Sequence, residues 1–266
     1  MDLERLVSPL ARLYYLGVKK REREIGYRLS LPVSASHWMP STIIFDMSPV
    51  WKRFGLAAIG VNYCTIGAVK NGLSTRFDPT SPYYQAWFGG YVTRFPTPRA
   101  WTLDEHFSLG VADQKNWLEL YGAKNPFVEV QKDSVKNLGP ITVCGRKGTL
   151  YEGNILSNTD VGNARPFALP FMMAGMAQLL NAGHRNPRYA SSDFIPNWSP
   201  TSPLASFEKI LLRGYIAIIP LDAYTSVILY ANSCEFTDQN GRRYDHFKTV
   251  RKDLRAMMSA VRIQKC

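Results

Sequence analysis

Three consecutive polar residues, Asp104, Glu105 and His106, are the first candidates for chemistry in this sequence. Carboxylates and imidazole serve as metal ligands and as general acid–base groups. The three follow Thr102 in a TLDE capping box, which predicts that they lie in the first turn of a helix. Successive helix positions diverge by about 100°, so these side chains would not converge on one metal ion. Capping and the favourable position of acids at a helix N-terminus account for both carboxylates.

The other candidate groups are scattered along the chain. Three histidines, His37, His184 and His246, lie in predicted loops or at helix ends, where histidine is commonly a surface or capping residue. The GRKG segment at 145–148 has two glycines and two cations that could contact a phosphate, and a hairpin turn accounts for the same residues. The motifs of zinc proteases, serine hydrolases, P-loop NTPases and dinucleotide-binding proteins do not occur. We therefore expect no catalytic, metal-binding or cofactor-binding residue, and no enzyme activity.

The cysteines are widely spaced, at Cys64, Cys144, Cys234 and Cys266. A structural zinc site needs ligands that are paired close in sequence, and no CxxC spacing is present. We therefore expect four free thiols in a reducing, intracellular compartment.

An apolar stretch, Trp51 to Lys70, is the best candidate for attachment to a membrane or a neighbouring subunit. Its sixteen central residues, Phe54 to Val69, fall short of the roughly 20 that a spanning helix needs. Small residues and flanking Trp, Lys and Arg are nevertheless typical of membrane helices and their interfacial anchors. The sequence leaves open a short transmembrane helix and a buried or partner-facing element. The contact residues predicted here are Trp51, Lys52, Arg53, Gly55, Gly60, Gly67 and Lys70.

A second apolar segment, Phe167 to Ala182, predicts a helix that is entered through Pro170. Its methionines, Met172, Met173 and Met176, adapt to irregular apolar shapes. They are compatible with a lipid or cofactor pocket, with core filling and with a subunit contact.

Apolar alternation and turn residues predict a sheet-based α+β chain. The predicted helices are Thr102 to Leu120 and Tyr244 to Ile263. The predicted strands are 25–31, 42–47, 85–95, 127–131, 141–144, 149–156, 210–219 and 224–231.

The last predicted helix combines an apolar stripe with most of the excess charge of the chain, which is +11 overall. The stripe consists of Phe247, Val250, Leu254, Met257, Met258 and Val261. The basic face beside it consists of Arg243, Lys248, Arg251, Lys252, Arg255 and Arg262. Such a face favours nucleic acid, anionic lipid or an acidic protein surface as a partner, and it is equally compatible with a solvated helix face.

The order of these elements resembles the PsbP-like fold. The segments that carry the resemblance are GYRLSLP with HW, TLDEHF, VCGRKGTLYEGNIL, RGYIAIIPL, YTSVILYAN and FKTVRKDLRAMMSAVRI. The resemblance implies an antiparallel sheet with helices packed on its faces. It also implies an accessory role, since domains of this kind mostly assist larger assemblies without catalysing a reaction.

The predicted organisation is an N-terminal amphipathic arm, 1–24, followed by one α+β domain, 25–266. Two apolar insertions, at about 51–101 and 158–206, depart from the PsbP-like pattern. The N-terminus lacks the unbroken apolar run of a signal peptide, so we expect an intracellular protein.

Three functions are compatible with this sequence. The first is a non-catalytic accessory subunit of a larger, membrane-associated and organellar complex, with the mitochondrial inner membrane as the expected location. Its partners would be other protein subunits and anionic lipid. The second is a basic nucleic-acid-binding module such as a ribosomal accessory protein. The third is a carrier or enzyme with an apolar pocket at Phe167 to Ala182.

Overall fold

The computed structural model of the chain describes residues 16–32, 42–65, 80–84, 86–120, 127–158, 210–238 and 240–266. The helices in these ranges are α1 (16–25), α2 (Ser48–Arg53), α3 (Leu103–Leu120) and α4 (His246–Ser259). The strands that precede α3 are β1 (Tyr27–Ser30), β2 (Thr42–Asp46), β3 (Ile59–Thr65) and β4 (Trp87–Arg94). The strands that follow it are β5 (Phe127–Val143), β6 (Arg146–Asn158), β7 (Ile210–Pro220), β8 (Thr225–Thr237), β9 (Arg243–Asp245) and β10 (Arg262–Lys265).

Seven strands form one antiparallel sheet in the order β2-β3-β4-β8-β7-β6-β5, and the short β9 pairs with the end of β8. The order joins two meanders, one of three strands and one of four, through the pairing of β4 with β8. Helices cover both faces of this sheet. The predicted α+β class, with helices packed on an antiparallel sheet, is therefore confirmed.

One face of the sheet is covered by α1, β1, β10 and α4. The predicted apolar stripe is confirmed, since all six of its residues are buried, five of them in α4 and Val261 just after it. These side chains pack on the inward residues of the central strands, among them Tyr215, Ala217 and Leu229. Val18 and Ile25 of α1 join the same core. Burial of such side chains from two layers is the main stabilising term for a sandwich of this kind.

The opposite face is covered by α2 and α3. Its core is rich in aromatic rings: Trp51 lies 5.3 Å from Trp101 and 5.7 Å from Tyr91, measured between ring centroids. The capping box predicted for α3 is confirmed, because the Glu105 amide donates to Thr102 Oγ1 and the Thr102 amide donates to Glu105 Oε2.

A two-stranded ribbon, β1 with β10, lies outside the main sheet. Its register pairs Tyr27 with Lys265 and Ser30 with Arg262. The sequence pattern predicts β1, whereas it predicts a helix through the residues of β10. That helix ends at Ser259, and the chain reverses through Ala260 and Val261 into the ribbon.

The strand pairings define two ends of the sheet. One end is marked by the pairs Thr42 with Thr65 and Phe127 with Asn158. The opposite end has short turns, including the predicted hairpin between β5 and β6, where Cys144 and Gly145 have φ of 51° and 74°.

Of the two alternatives left open for the apolar stretch from Trp51 to Lys70, the short transmembrane helix is not found, because Ile59–Thr65 forms β3 inside the sheet. A strand that is covered on both faces is apolar at successive positions, so its sequence resembles a helix of small residues. Among the helices of the described ranges, none is both long and apolar enough to cross a bilayer.

The expected insertion at 51–101 supplies α2, β3, β4 and the residues that lead into α3, so it is part of the sheet and its cover. The region expected as an N-terminal arm contributes α1 from residue 16 onward. The second expected insertion and the helix predicted at Phe167 to Ala182 lie outside the described residues, apart from Asn158 at the end of β6.

Candidate functional site

The four elements on the first face form a surface that we call the basic layer: α1 (16–25), β1, β10 and α4. They carry eleven Lys and Arg side chains and only three acidic ones. The elements of the opposite face, α2 and α3, carry three cations and four acids. Excess positive charge is therefore concentrated on one side of the sandwich.

The outer side of α4 presents four cations in one stripe, Lys248, Arg251, Lys252 and Arg255. Their spacing of i, i+3, i+4 and i+7 places them on one helix face, about 5 to 6 Å from one turn to the next. All four are exposed, whereas the apolar stripe on the inner side of the helix is buried. The helix begins at an N-cap in which Asp245 Oδ1 accepts from the Lys248 amide at 2.9 Å. Four of the six residues of the predicted basic face therefore lie in one row on this helix.

The ribbon continues this row toward α1. Tyr27 and Leu29 of β1 are buried, so Arg28 and Ser30 between them face outward. The register sets Arg28 opposite Gln264 and Ser30 opposite Arg262, and Arg28 Nε donates to Gln264 Oε1 at 2.7 Å. Two arginines therefore lie diagonally across the outer side of the ribbon.

Helix α1 adds three exposed cations, Lys19, Lys20 and Arg23. Its two acids are engaged elsewhere: Glu22 accepts from the Tyr63 hydroxyl and Glu24 pairs with Arg21. The Glu22 carboxylate and burial of the ring both raise the pKa of Tyr63, with burial as the larger cause. The two acids lower the net charge of α1 to +2, and Lys19, Lys20 and Arg23 form none of the ion pairs found among the described residues.

Two of the predicted basic residues have specific partners. Arg243 lies on β9, where its Nε donates to Glu235 Oε1 at 2.8 Å, so its charge is paired. The Arg255 guanidinium lies 5.7 Å from the centroid of the buried Tyr215 ring, an arrangement that orients the side chain across the edge of the core.

Of the residues predicted for membrane or partner contact, those that the structure describes do not form one exposed surface. Trp51 is 0% exposed and belongs to the aromatic core, so it is not an interfacial anchor. Gly60 is buried against it, since a Cβ there would lie 2.1 Å from Trp51 Cη2. Lys52, Arg53 and Gly55 are exposed at the end of α2, and Gly55 adopts φ of 73° just after that helix. Gly67 and Lys70 lie outside the described residues.

A histidine–tyrosine pair is the other arrangement of side chains that could take part in chemistry. The Tyr91 hydroxyl and His106 Nδ1 are 2.8 Å apart, and the imidazole lies among the rings of Tyr91, Phe107 and Tyr230. Burial lowers the pKa of His106 to about 4 and raises the pKa of Tyr91. A neutral imidazole that is enclosed by rings acts as a packing and hydrogen-bonding group.

The carboxylates next to His106 are directed elsewhere. Glu105 closes the capping box and pairs with Arg99, and Asp104 is exposed. Within the described ranges, no group of three or more His, Cys, Asp or Glu side chains is placed to hold a metal ion. His246, expected at the surface, is instead buried at the start of α4 against Tyr84 and Phe236.

An open depression lies along β5, where it is lined by Glu129–Ser134. It coincides with a bulge in the pairing of β5 with β6, which is closed by the Asn154 amide donating to Ser134 Oγ at 2.9 Å. The depression is shallow and has mixed charge, so the bulge accounts for it.

Sequence reasoning predicts the cations of α4 and Arg262, and it misses the contribution of α1 and β1. The run Lys19 to Glu24 has mixed charge in sequence, and only the packing of α1 directs its acids inward or into pairs. Comparison with known proteins adds no further information, since the chain matches no protein-family model and no curated protein sequence.

Proposed function

We propose that this chain is a non-catalytic accessory subunit of a larger assembly and that the basic layer is the surface through which it binds an anionic partner. The observation that carries the proposal is the segregation of charge, with eleven cations against three acids on one layer and three against four on the other. Charged residues that served solubility alone would occur on both layers. A positive electrostatic field on one face, in contrast, steers an anionic partner to that face.

The construction of the layer supports a binding role. Its cations lie on helices and strands whose inner sides are buried in the core, so their positions are set by the fold. Ordering of flexible side chains is one of the costs of association, and a rigid backbone beneath them reduces that cost.

The order of elements supports the accessory part of the proposal, since it resembles PsbP-like domains that assist larger assemblies. The basic composition of the chain is common among organellar proteins, and a mitochondrial complex is the setting that we propose. Other protein subunits of that complex are the expected neighbours.

Two variants test the proposal. The stripe variant removes three exposed cations of α4 by Lys248→Gln, Arg251→Gln and Lys252→Gln. The control variant removes three exposed cations outside the basic layer by Lys115→Gln, Lys132→Gln and Lys136→Gln. Both lose the same net charge, so a difference between them reports the position of the charge.

The measurement is sedimentation of each chain, expressed at native level in its own cells, after gentle lysis at low salt. The wild-type chain and the control variant are expected in a species much heavier than 30.1 kDa, and the stripe variant is expected to shift toward the free chain. A wild-type chain that sediments alone, or a control variant that is released to the same extent as the stripe variant, would overturn the proposal.

A further inference from the structure

The chemistry of the basic layer also identifies its partner. We propose that the layer binds the phosphodiester backbone of a double-stranded nucleic acid. This inference rests on the proposed function and names the anion to which that function refers.

The exposed cations of the layer lie on elements that follow one another closely in space. The stripe of α4 leads directly into β10, β10 pairs with β1, and β1 follows α1 after a single residue. The ten exposed cations of the layer therefore lie on four elements that adjoin one another on one face of the sheet. Among the described residues, none of these ten takes part in an ion pair. A duplex, which carries one charge about every 1.7 Å along its axis, can satisfy many fixed cations at once.

Exposed apolar side chains are scarce on the layer. Of the described residues, the large hydrophobic side chains that are exposed are Leu16 and Leu138, and only Leu16 belongs to the layer. Protein interfaces are anchored by aromatic and apolar hot spots, and membrane-surface helices insert an apolar face. Phosphate contacts require only cations and hydrogen-bond donors. The surface is therefore better suited to a phosphodiester backbone than to an acidic protein or a bilayer.

Among its described residues, the layer has no exposed aromatic ring, which bears on the form of the nucleic acid. The aromatic residues of the four elements, Tyr27, His246 and Phe247, are all buried. Proteins that bind single strands stack bases on exposed aromatic rings, and none is available here. Contacts limited to phosphates favour a duplex, whose charge density is higher, and they do not discriminate between base sequences.

The test is fluorescence anisotropy of the purified full chain with a labelled RNA duplex, a DNA duplex of the same length and a single-stranded oligouridine. Wild-type protein is expected to bind a duplex more tightly than oligouridine and without sequence preference. The salt slope of the stripe variant should be shallower by about 3, because each lost phosphate contact reduces it by about 1. Its Kd at low salt should rise by roughly tenfold or more, while that of the control variant changes by no more than about twofold.

Several results would overturn the inference. These are no duplex affinity, equal weakening by the control variant, equal affinity for oligouridine, and competition by polyglutamate as effective as that by unlabelled duplex. Binding to phosphatidylserine vesicles without binding to a duplex would assign the layer to lipid instead. Arg262→Gln, on the ribbon, provides a single substitution with little risk to folding, and it should weaken duplex binding in the same direction.

The two proposals fail differently. A heavy native species that survives nuclease, together with a purified chain that lacks duplex affinity, overturns only the nucleic-acid inference. A chain that sediments alone in lysate overturns the accessory function, whatever it binds when purified.

Discussion

The Tyr91 hydroxyl lies 2.8 Å from His106 Nδ1, and this hydrogen bond joins the middle of β4 to the first turn of α3. Tyr91 also packs edge-on against Trp51 and Trp101, at ring-centroid distances of 5.7 and 5.5 Å. The pair thus connects the sheet, the helix and the aromatic core of one face. Its contribution is structural, and it should be visible in the pH dependence of stability.

We predict that His106 makes the folded state sensitive to acid. Burial lowers its pKa to about 4, below the ordinary value of 6.5, so the unfolded chain takes up the proton first as the pH falls. Above pH 6.5 the imidazole is neutral in both states and does not lower the free energy of unfolding. As the pH falls from 6.5 toward 4, protonation of the unfolded chain lowers that free energy progressively. Between pH 7.5 and pH 5 this amounts to about 2 kcal/mol of unfolding free energy.

The measurement is urea denaturation of wild-type protein and His106→Gln at both pH values. Glutamine has no charge to gain, so the variant should lose about 2 kcal/mol less than wild type over that range. Acidic groups elsewhere titrate alike in both proteins and cancel in the comparison. Equal losses in the two proteins would show that the histidine is not buried as described.

We predict that Gly60→Ala destabilises the protein. A Cβ at this position would lie 2.1 Å from Trp51 Cη2 and 2.5 Å from the backbone oxygen of Val92, and neither atom can easily move. Overpacking of this kind typically costs about 1 to 3 kcal/mol. The matched control is Gly110→Ala in α3, where nothing lies within 4 Å of the added carbon.

The two glycine substitutions should have opposite effects. Alanine at position 110 is expected to stabilise the helix by about 0.5 to 1 kcal/mol, because glycine loses more backbone entropy on folding. Chemical denaturation gives both values. A neutral Gly60→Ala would mean that Trp51 can repack away from β3.

We predict that Asp245→Ala weakens α4 and that Asp245→Asn does not. The Asp245 carboxylate accepts from the Lys248 amide at 2.9 Å and caps the helix that carries the cation stripe. Loss of an N-cap side chain costs about 1 kcal/mol, and asparagine caps about as well as aspartate. Thermal unfolding of the three proteins provides the measurement. Equal destabilisation by both substitutions would indicate that the charge of Asp245, and not its cap, matters.

We predict a clear order of thiol reactivity. Cys144 is exposed at a hairpin turn, whereas Cys234 is buried and its Sγ faces the backbone oxygen of Tyr84 at 3.4 Å. Burial raises the pKa of the Cys234 thiol far above its ordinary value, and it raises that of Cys266 in the same direction. The thiolate is the reactive form.

Timed alkylation followed by peptide mapping checks that order. Cys144 should be modified first, and Cys234 should react only after denaturant is added. Rapid modification of Cys234 in native conditions would mean that β8 opens locally.

The sequence predicts the elements whose patterns are decided locally. The strand pair β7–β8 follows from its β-branched runs, α4 from its apolar stripe and the start of α3 from the Thr102–Glu105 box. Each of these signals lies within one segment and is preserved in the fold. The cations of α4 were found for the same reason, since an amphipathic helix separates its two faces by spacing alone.

The features that the sequence does not predict depend on contacts between distant segments. The composition of strand β3 is typical of a helix of small residues. The contact that distinguishes it is that of Gly60 with Trp51, which belongs to the preceding helix. Strand β10 continues the helical pattern of α4, and only its pairing with β1 defines it as a strand. The Tyr91–His106 bond needs α3 to fold back over β4, which local pattern does not indicate.

The ribbon has a consequence for how the protein is made. Tyr27 pairs with Lys265, so a strand that leaves the ribosome early must wait for one that is synthesised 238 residues later. Until then the face of the sheet under the basic layer keeps its apolar residues uncovered, including Tyr215, Ala217 and Leu229. Pairings of such long sequence separation form slowly and leave aggregation-prone surface exposed. The nascent chain is therefore expected to expose this apolar face until its C-terminal helix and strand have been synthesised.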